Sequence, residues 1–240
     1  MLTAAPLTRT ALVGAAVLFA GLADTAPPER SSLVHRLVQG ERFAYERVIT
    51  YRDAGGIQHE RSAIVLEVVD AAGSPPLVRQ RISVNGGPEK ARQIKAAPDG
   101  RWSYADSNSV AQDFATWDAN QFGDAPETPQ PGRRWEVAVP RSAMFAGGRA
   151  VVSVVSVRDG RVTIEAAGDS GRRDDTVLDR DTHRYVPVTV RGVWTVRVTY
   201  EDGIVQEFRR DDRVHYAVNR NAAQSDDDVD VSIRLVSHTR

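Results

Sequence analysis

The chain has 240 residues, 41% of them hydrophobic and 26% charged, with 12 prolines and 18 glycines. That is too apolar for disorder, not apolar enough for a membrane-embedded helix bundle, and long enough for one large β domain or two small ones. The formal charge of −1 gives no global pull toward nucleic acid or anionic lipid, and the arginines are scattered among acids rather than gathered into a phosphate-gripping patch.

At the N-terminus Arg9 supplies a positive charge, Ala11 to Ala20 is an apolar run, and Gly21-Leu22-Ala23 offers small residues for cleavage. Residues 1–23 therefore read as a signal peptide; the apolar run stops at Asp24, short of the roughly 20 residues a membrane-spanning helix needs. The expected destination is extracytoplasmic, periplasm or medium. With no cysteine, neither disulfides nor N-terminal lipidation can contribute, and the mature fold must rest on its core.

Residues 24–40 read as a spacer that ends in one or two helical turns over 31–39, with Leu33, Val34 and Leu37 on one side. From Glu41 onward the hydrophobic period switches to two, and 41–240 reads as a single all-β domain. Candidate strands are 43–51, 57–69, 77–84, 92–97, 101–105, 133–139, 149–158, 161–167, 185–191, 193–200, 204–210, 213–218 and 229–237. The expectation is an antiparallel meander of roughly 10–13 strands, forming a barrel, a half-open barrel or a two-layer sandwich. Ser107 to Trp117 could form another short helix packing Val110, Phe114 and Trp117, and 118–134 reads as a long connection.

Asp-Gly pairs at 99–100, 159–160 and 202–203 mark hairpins. A three-residue loop at each matches apolar residues across the strands: Ile94 with Tyr104 and Ala96 with Trp102, Val154 with Ile164 and Val152 with Ala166, Tyr200 with Ile204 and Val196 with Phe208. In the last of these it also sets Arg197 opposite Glu207. The hairpin around 53–56 leaves two registers open, one pairing Tyr45 with Ile64 and Phe43 with Leu66, the other Tyr51 with Ile57. In the final strand Val229, Val231, Ile233 and Leu235 alternate with Asp230, Ser232 and Arg234, as a sheet with one wet face requires. The 149–158 strand has valines at both parities, which predicts cover on both sides.

Gly168-Asp169-Ser170-Gly171 resembles the sequence around the nucleophile of trypsin-like serine proteases. The likeness spans four residues and then breaks at Arg172 and Arg173, and His59 lies in Gly-Ile-Gln-His-Glu, unlike the family's histidine setting. No catalytic role is carried over, and the segment is expected to be a polar loop. Gly192-Val193-Trp194 resembles the G-x-W of lipocalins, but sits in the last quarter of the chain rather than the first strand; it implies at most a similar β-barrel shape class. Histidines 35, 59, 183, 215 and 238 show no metal-binding spacing. Asp226-Asp227-Asp228-Val229-Asp230 lacks the glycine and distal glutamate of a calcium loop and reads as a solvated acidic loop. His215 is expected on the polar face of its strand. No metal, no cofactor and no catalytic residue is therefore expected.

The leading functional reading is an exported, non-catalytic binding or carrier protein for an apolar or amphipathic ligand, a small molecule or lipid. Its ligand-facing candidates are the strand aromatics Phe43, Tyr45, Trp102, Tyr104, Trp135, Trp194, Tyr200 and Phe208. The alternative is a cell-envelope interaction or assembly protein with an envelope-protein partner, using a strand edge or an apolar patch. A secreted hydrolase comes third. Nucleic acid is not an expected partner, and the cleaved chain is not expected to be an integral membrane protein.

Overall fold

The computed structural model describes residues 33, 35–53, 55–96, 102–106, 128–139, 147–179, 183–218 and 224–240. The signal peptide expected at 1–23, the helix expected at 107–117 and most of the 118–134 connection lie outside them. The described strands are β1 (Arg42–Asp53), β2 (Gly56–Asp70), β3 (Leu77–Val84), β4 (Lys90–Ala96), β5 (Trp102–Tyr104), β6 (Arg134–Val139), β7 (Gly148–Arg158), β8 (Arg161–Asp179), β9 (Arg184–Glu201), β10 (Ile204–Val218) and β11 (Gln224–Thr239). They form one antiparallel sheet in the order β5-β4-β3-β2-β1-β11-β10-β9-β8-β7-β6. Apart from β5 and β6, which form the two edges, consecutive strands pair with each other, and β1 pairs with β11 at the centre.

Among the described residues edge strands β5 and β6 do not pair with each other, so the sheet is a half-open barrel rather than a closed one. Along every long strand alternate residues are buried, and the buried sets share one face: Phe43, Tyr45 and Ile49 on β1, Ile64, Leu66 and Val68 on β2, Val196, Val198 and Tyr200 on β9. One contiguous apolar core joins Ile94 of β4 to Val137 and Val139 of β6, because the twisted sheet curls until its inner face covers itself. The outer face is wet and carries cross-strand ion pairs such as Arg197 with Glu165 at 3.1 Å.

Turn chemistry differs from the expectation in an instructive way. At 159–160 and 202–203 both loop residues have positive φ, which makes two-residue turns of the type Asp-Gly favours. The register then slips by one residue at a bulge: β7 inserts Val155, and the pairs Val152–Ala166 and Val154–Ile164 form as expected. On β10 the extra residue is Gln206, on the opposite strand of its hairpin, so Tyr200 faces Val205 and Phe208 faces Val198. The expected pairs Tyr200–Ile204, Val196–Phe208 and Arg197–Glu207 are thus corrected. Ile94–Tyr104 and Ala96–Trp102 form as expected, and β1–β2 adopts the register with Tyr45 opposite Ile64.

Three further expectations change. The segments 185–191 and 193–200 are one strand, and so are 204–210 and 213–218. Strand β7 is covered on one side alone, since Val151 and Val155 are 47% and 41% exposed. The described residues 35–40 form no helix: the Val38 N–H is donated to the Glu41 carboxylate at 3.0 Å, and the segment bends around that side chain instead. Leu33 still reaches the core.

Candidate functional site on the inner face

Among the aromatic candidates, Phe43, Tyr45, Trp194, Tyr200 and Phe208 are buried on the inner face, and Tyr104 and Trp135 pack against them partly buried. Trp102 lies on β5 opposite Ala96. Strand alternation brings Phe43, Tyr45, Tyr104, Trp135, Trp194, Tyr200 and Phe208 to one surface.

The inner face also holds charges that the alternation arguments missed. Following the register across the sheet, Glu60, Ile49, Val231, Arg210 and Val196 lie in one row, and Tyr51, Val229, Asp212, Trp194 and Gly168 in the next. Arg210 and Asp212 are two apart on β10, so they share the inner face with Phe208. Arg210 Nε lies 3.0 Å from Asp212 Oδ2, with both side chains almost wholly buried. Burial lowers the Arg210 pKa against the opposing pull of Asp212. Burial also pushes Asp212 up to about 6, with Asp211 and Asp230 adding to the rise and the Arg210 charge resisting it. Loss of hydration outweighs attraction in such a pair.

A second polar group stands beside it on β1 and β2. Arg47 Nη2 donates to Glu60 Oε1 at 2.9 Å and to Ser62 Oγ at 3.1 Å, and the Ser62 hydroxyl donates to the same Glu60 oxygen at 3.2 Å. Further out on β3, Gln80 is 1% exposed on the same face. The inner surface is therefore apolar with a polar band across its middle. The sequence signal was Phe208-x-Arg210-x-Asp212, a charged pair at the parity of the core.

One end of the face is closed by a buried carboxylate. Glu41 accepts from His35 Nε2 at 2.9 Å, from His238 Nε2 at 2.7 Å and from Arg240 Nε at 3.3 Å. Burial alone would raise its pKa, but the bonds from His35, His238 and Val38 prevail and hold it below the ordinary carboxylate range. The His238 ring stacks on Phe43 with centroids 4.9 Å apart. This knot ties the chain's last residues to the segment before β1 and seals the core beneath it.

The two family-like motifs meet on neighbouring strands. Gly168 is the register partner of Trp194, and a Cβ there would overlap the Trp194 ring. Asp169 pairs with Arg191, and Gly171 takes a positive φ at the bulge between Asp169 and Arg172. The Ser170 hydroxyl donates to Gly171 O at 3.0 Å and accepts from Gly192 N at 2.8 Å. His59 instead bonds Thr50 at 3.1 Å, with four strands between β2 and β8. The expected polar loop is thus a strand bulge, and Ser170 and His59 are not brought together.

The aspartates 226–230 lie in β11, not in a loop. Asp228 pairs with Arg213 at 3.2 Å, Asp226 with His215, and Asp230 with Arg52. His215 is on the outer, polar side of β10, as expected. No cluster of three His, Asp or Glu side chains among the described residues is arranged to hold a metal ion.

The chain matches no family model and no curated protein. Among solved structures it is similar to a presumed lipoprotein from Parabacteroides distasonis, at 10% identity over 87% of this chain and 99% of that one, with a TM-score of 0.23. It is similar to a presumed outer membrane lipoprotein-sorting protein domain from Vibrio parahaemolyticus, at 8% identity over 83% and 84%, with a TM-score of 0.22. An outer membrane channel from Pseudomonas putida shares 9% identity over 88% of this chain and 100% of that one, with a TM-score of 0.21. Superpositions this loose carry no argument about function.

Proposed function

We propose that the chain is an exported, non-catalytic carrier that holds an apolar or amphipathic ligand against the inner face of its half-open sheet. One observation supports this above the others: a single sheet face combines aromatic side chains with a buried polar band, between two edge strands, β5 and β6, that do not pair with each other. A closed barrel fixes its lumen through continuous hydrogen bonding, whereas unpaired edges let the face widen around a guest. Apolar walls with a few placed polar groups are the usual make-up of a small-molecule site. The signal-like residues 1–23 support an extracytoplasmic place of work.

Native mass spectrometry of the exported protein, purified without detergent, tests the reading. Adducts of lipid mass that disappear on solvent extraction are expected; bare protein from every preparation would count against it.

A second reading has its own observation. Strand β7 pairs with β8 no further than Asp169, so among the described residues Arg172–Asp179 has no strand on that edge. A free edge suits an envelope partner that adds a strand. In-cell cross-linking from position 174 would capture such a partner, and a cross-link map without one would remove the reading.

A further inference from the structure

On β3 the inner-face residues are Val78, Gln80 and Ile82, and the register sets Leu66 of β2 and Arg92 of β4 on either side of Gln80. Val78, Ile82 and Leu66 are buried apolar residues, as these positions demand, and Gln80 is 1% exposed among them. Neither its Oε1 nor its Nε2 has a hydrogen-bond partner among the described residues. Arg92 does not answer it, since its guanidinium carbon lies 5.0 Å over the ring of Tyr104. A buried amide with both polar atoms unpaired forfeits its hydration for nothing, and methionine or leucine would fill the same space without that cost. Gln80 is thus poorly explained as packing.

We infer that Gln80 determines specificity on this face, recognising an acyl chain whose polar end both donates and accepts a hydrogen bond, as a protonated fatty acid or a fatty amide does. The inference rests on the carrier reading above. The aliphatic residues around Gln80 suit a hydrocarbon chain. A primary amide presents one acceptor and one donor side by side in a plane. A neutral carboxyl or amide group completes both in a cyclic pair; an ester can accept from Nε2 but offers nothing to Oε1. A phosphate headgroup would bring a full charge among apolar neighbours, at a heavy loss of hydration.

The test is calorimetric titration of the wild-type protein, Gln80→Met and Gln80→Leu with two probes of equal chain length, oleamide and methyl oleate. Wild type is expected to bind oleamide about tenfold more tightly than methyl oleate, the worth of one or two hydrogen bonds. Both variants are expected to lose that preference, binding the two probes alike and no more tightly than wild type binds the ester. They are also expected to melt about 3 °C or more above wild type, because an unpaired buried amide has been removed. Variants that keep the preference for oleamide overturn the inference, and so do variants that melt below wild type, since the amide would then have a structural role. Wild type that binds both probes equally also overturns it while leaving the carrier reading intact. Wild type that binds neither removes the carrier reading and the inference together.

Discussion

The indole of Trp194 lies over Gly168, its register partner on β8, and donates Nε1–H to the carbonyl of Gly147 at 2.9 Å. Two segments that each suggest a different family, one protease-like and one lipocalin-like, are therefore the two halves of one packing arrangement. Glycine stands at 168 because the ring needs the space a Cβ would take. Gly148 has φ +109, and a Cβ there would overlap the backbone at Asp169 and Ser170. Aromatic cover of a strand glycine is a known way to pin register.

Gly168→Ala is accordingly expected to destabilise the fold by about 1–3 kcal/mol, the usual range for forcing extra volume into a packed core. Trp194→Phe leaves the buried Gly147 carbonyl without its donor and is expected to cost a similar amount, about 1–3 kcal/mol. Urea denaturation followed by far-ultraviolet circular dichroism measures both. An unchanged midpoint for Gly168→Ala would show that the ring moves freely.

Asp212 and Glu41 should give opposite pH signatures. The Asp212 carboxyl titrates near 6 in the folded chain, above the value of about 3.9 expected when unfolded. The folded state thus binds the proton more tightly, and stability from this group falls as pH rises from about 4 to about 6. The advantage of wild type over Asp212→Asn is expected to shrink by about 2–3 kcal/mol between pH 4 and pH 7. Stability curves at the two pH values that run parallel would contradict this.

Glu41 is held below the ordinary carboxylate range, so its contribution is present at neutral pH and lost as pH falls below about 4. Glu41→Ala strands the donors of His35, His238 and Val38, and is expected to cost about 3 kcal/mol at pH 7. For Glu41→Gln the gap to wild type should narrow on acidification. Hydrogen exchange of the β1 and β11 amides near Phe43 and His238 would report the local loosening; protection equal to wild type would mean that the knot is dispensable.

Gly160 and Gly203 occupy the second position of their turns with φ of 73° and 75°. Alanine at either is expected to cost about 1–2 kcal/mol, the penalty of a Cβ in the left-handed region. Thermal melts of the two single variants and the double variant test this, with the costs adding because the turns belong to different hairpins.

These turns also show how far the fold was legible from residues alone. Alternation located the strands and their faces, since Phe43, Ile64, Val198 and Ile233 can be buried together only at one parity. It set the pairs Ile94–Tyr104 and Val152–Ala166 toward the two edges of the sheet. It failed at Gln206, because a bulge changes register without a sequence mark: matching Tyr200 to Ile204 looked as apolar as the true pair with Val205. The expected breaks near Gly192 and between Arg210 and Arg213 were not breaks. Gly192 is a point of close approach to Ser170, and Arg210 and Asp212 are buried as a pair inside a continuous strand. The polar band was hidden for the same reason. Arg47, Gln80, Arg210 and Asp212 sit at core parity, and the meeting of Arg47 with the Arg210–Asp212 pair depends on which strands become neighbours, above all the long-range pairing of β1 with β11.

The proposed carrier role puts the ligand on the inner face, which tryptophan quenching by an acyl chain that carries its own quencher tests most directly. Trp135 and Trp194 both lie on that face, so titration with dibromostearic acid should quench their fluorescence saturably at one chain per protein. The quenching should diminish in Trp135→Phe, while aqueous iodide leaves the buried Trp194 emission largely untouched. An acyl chain that binds without quenching, or quenches equally after Trp135→Phe and Trp194→Phe are combined, would place the ligand elsewhere than on the inner face.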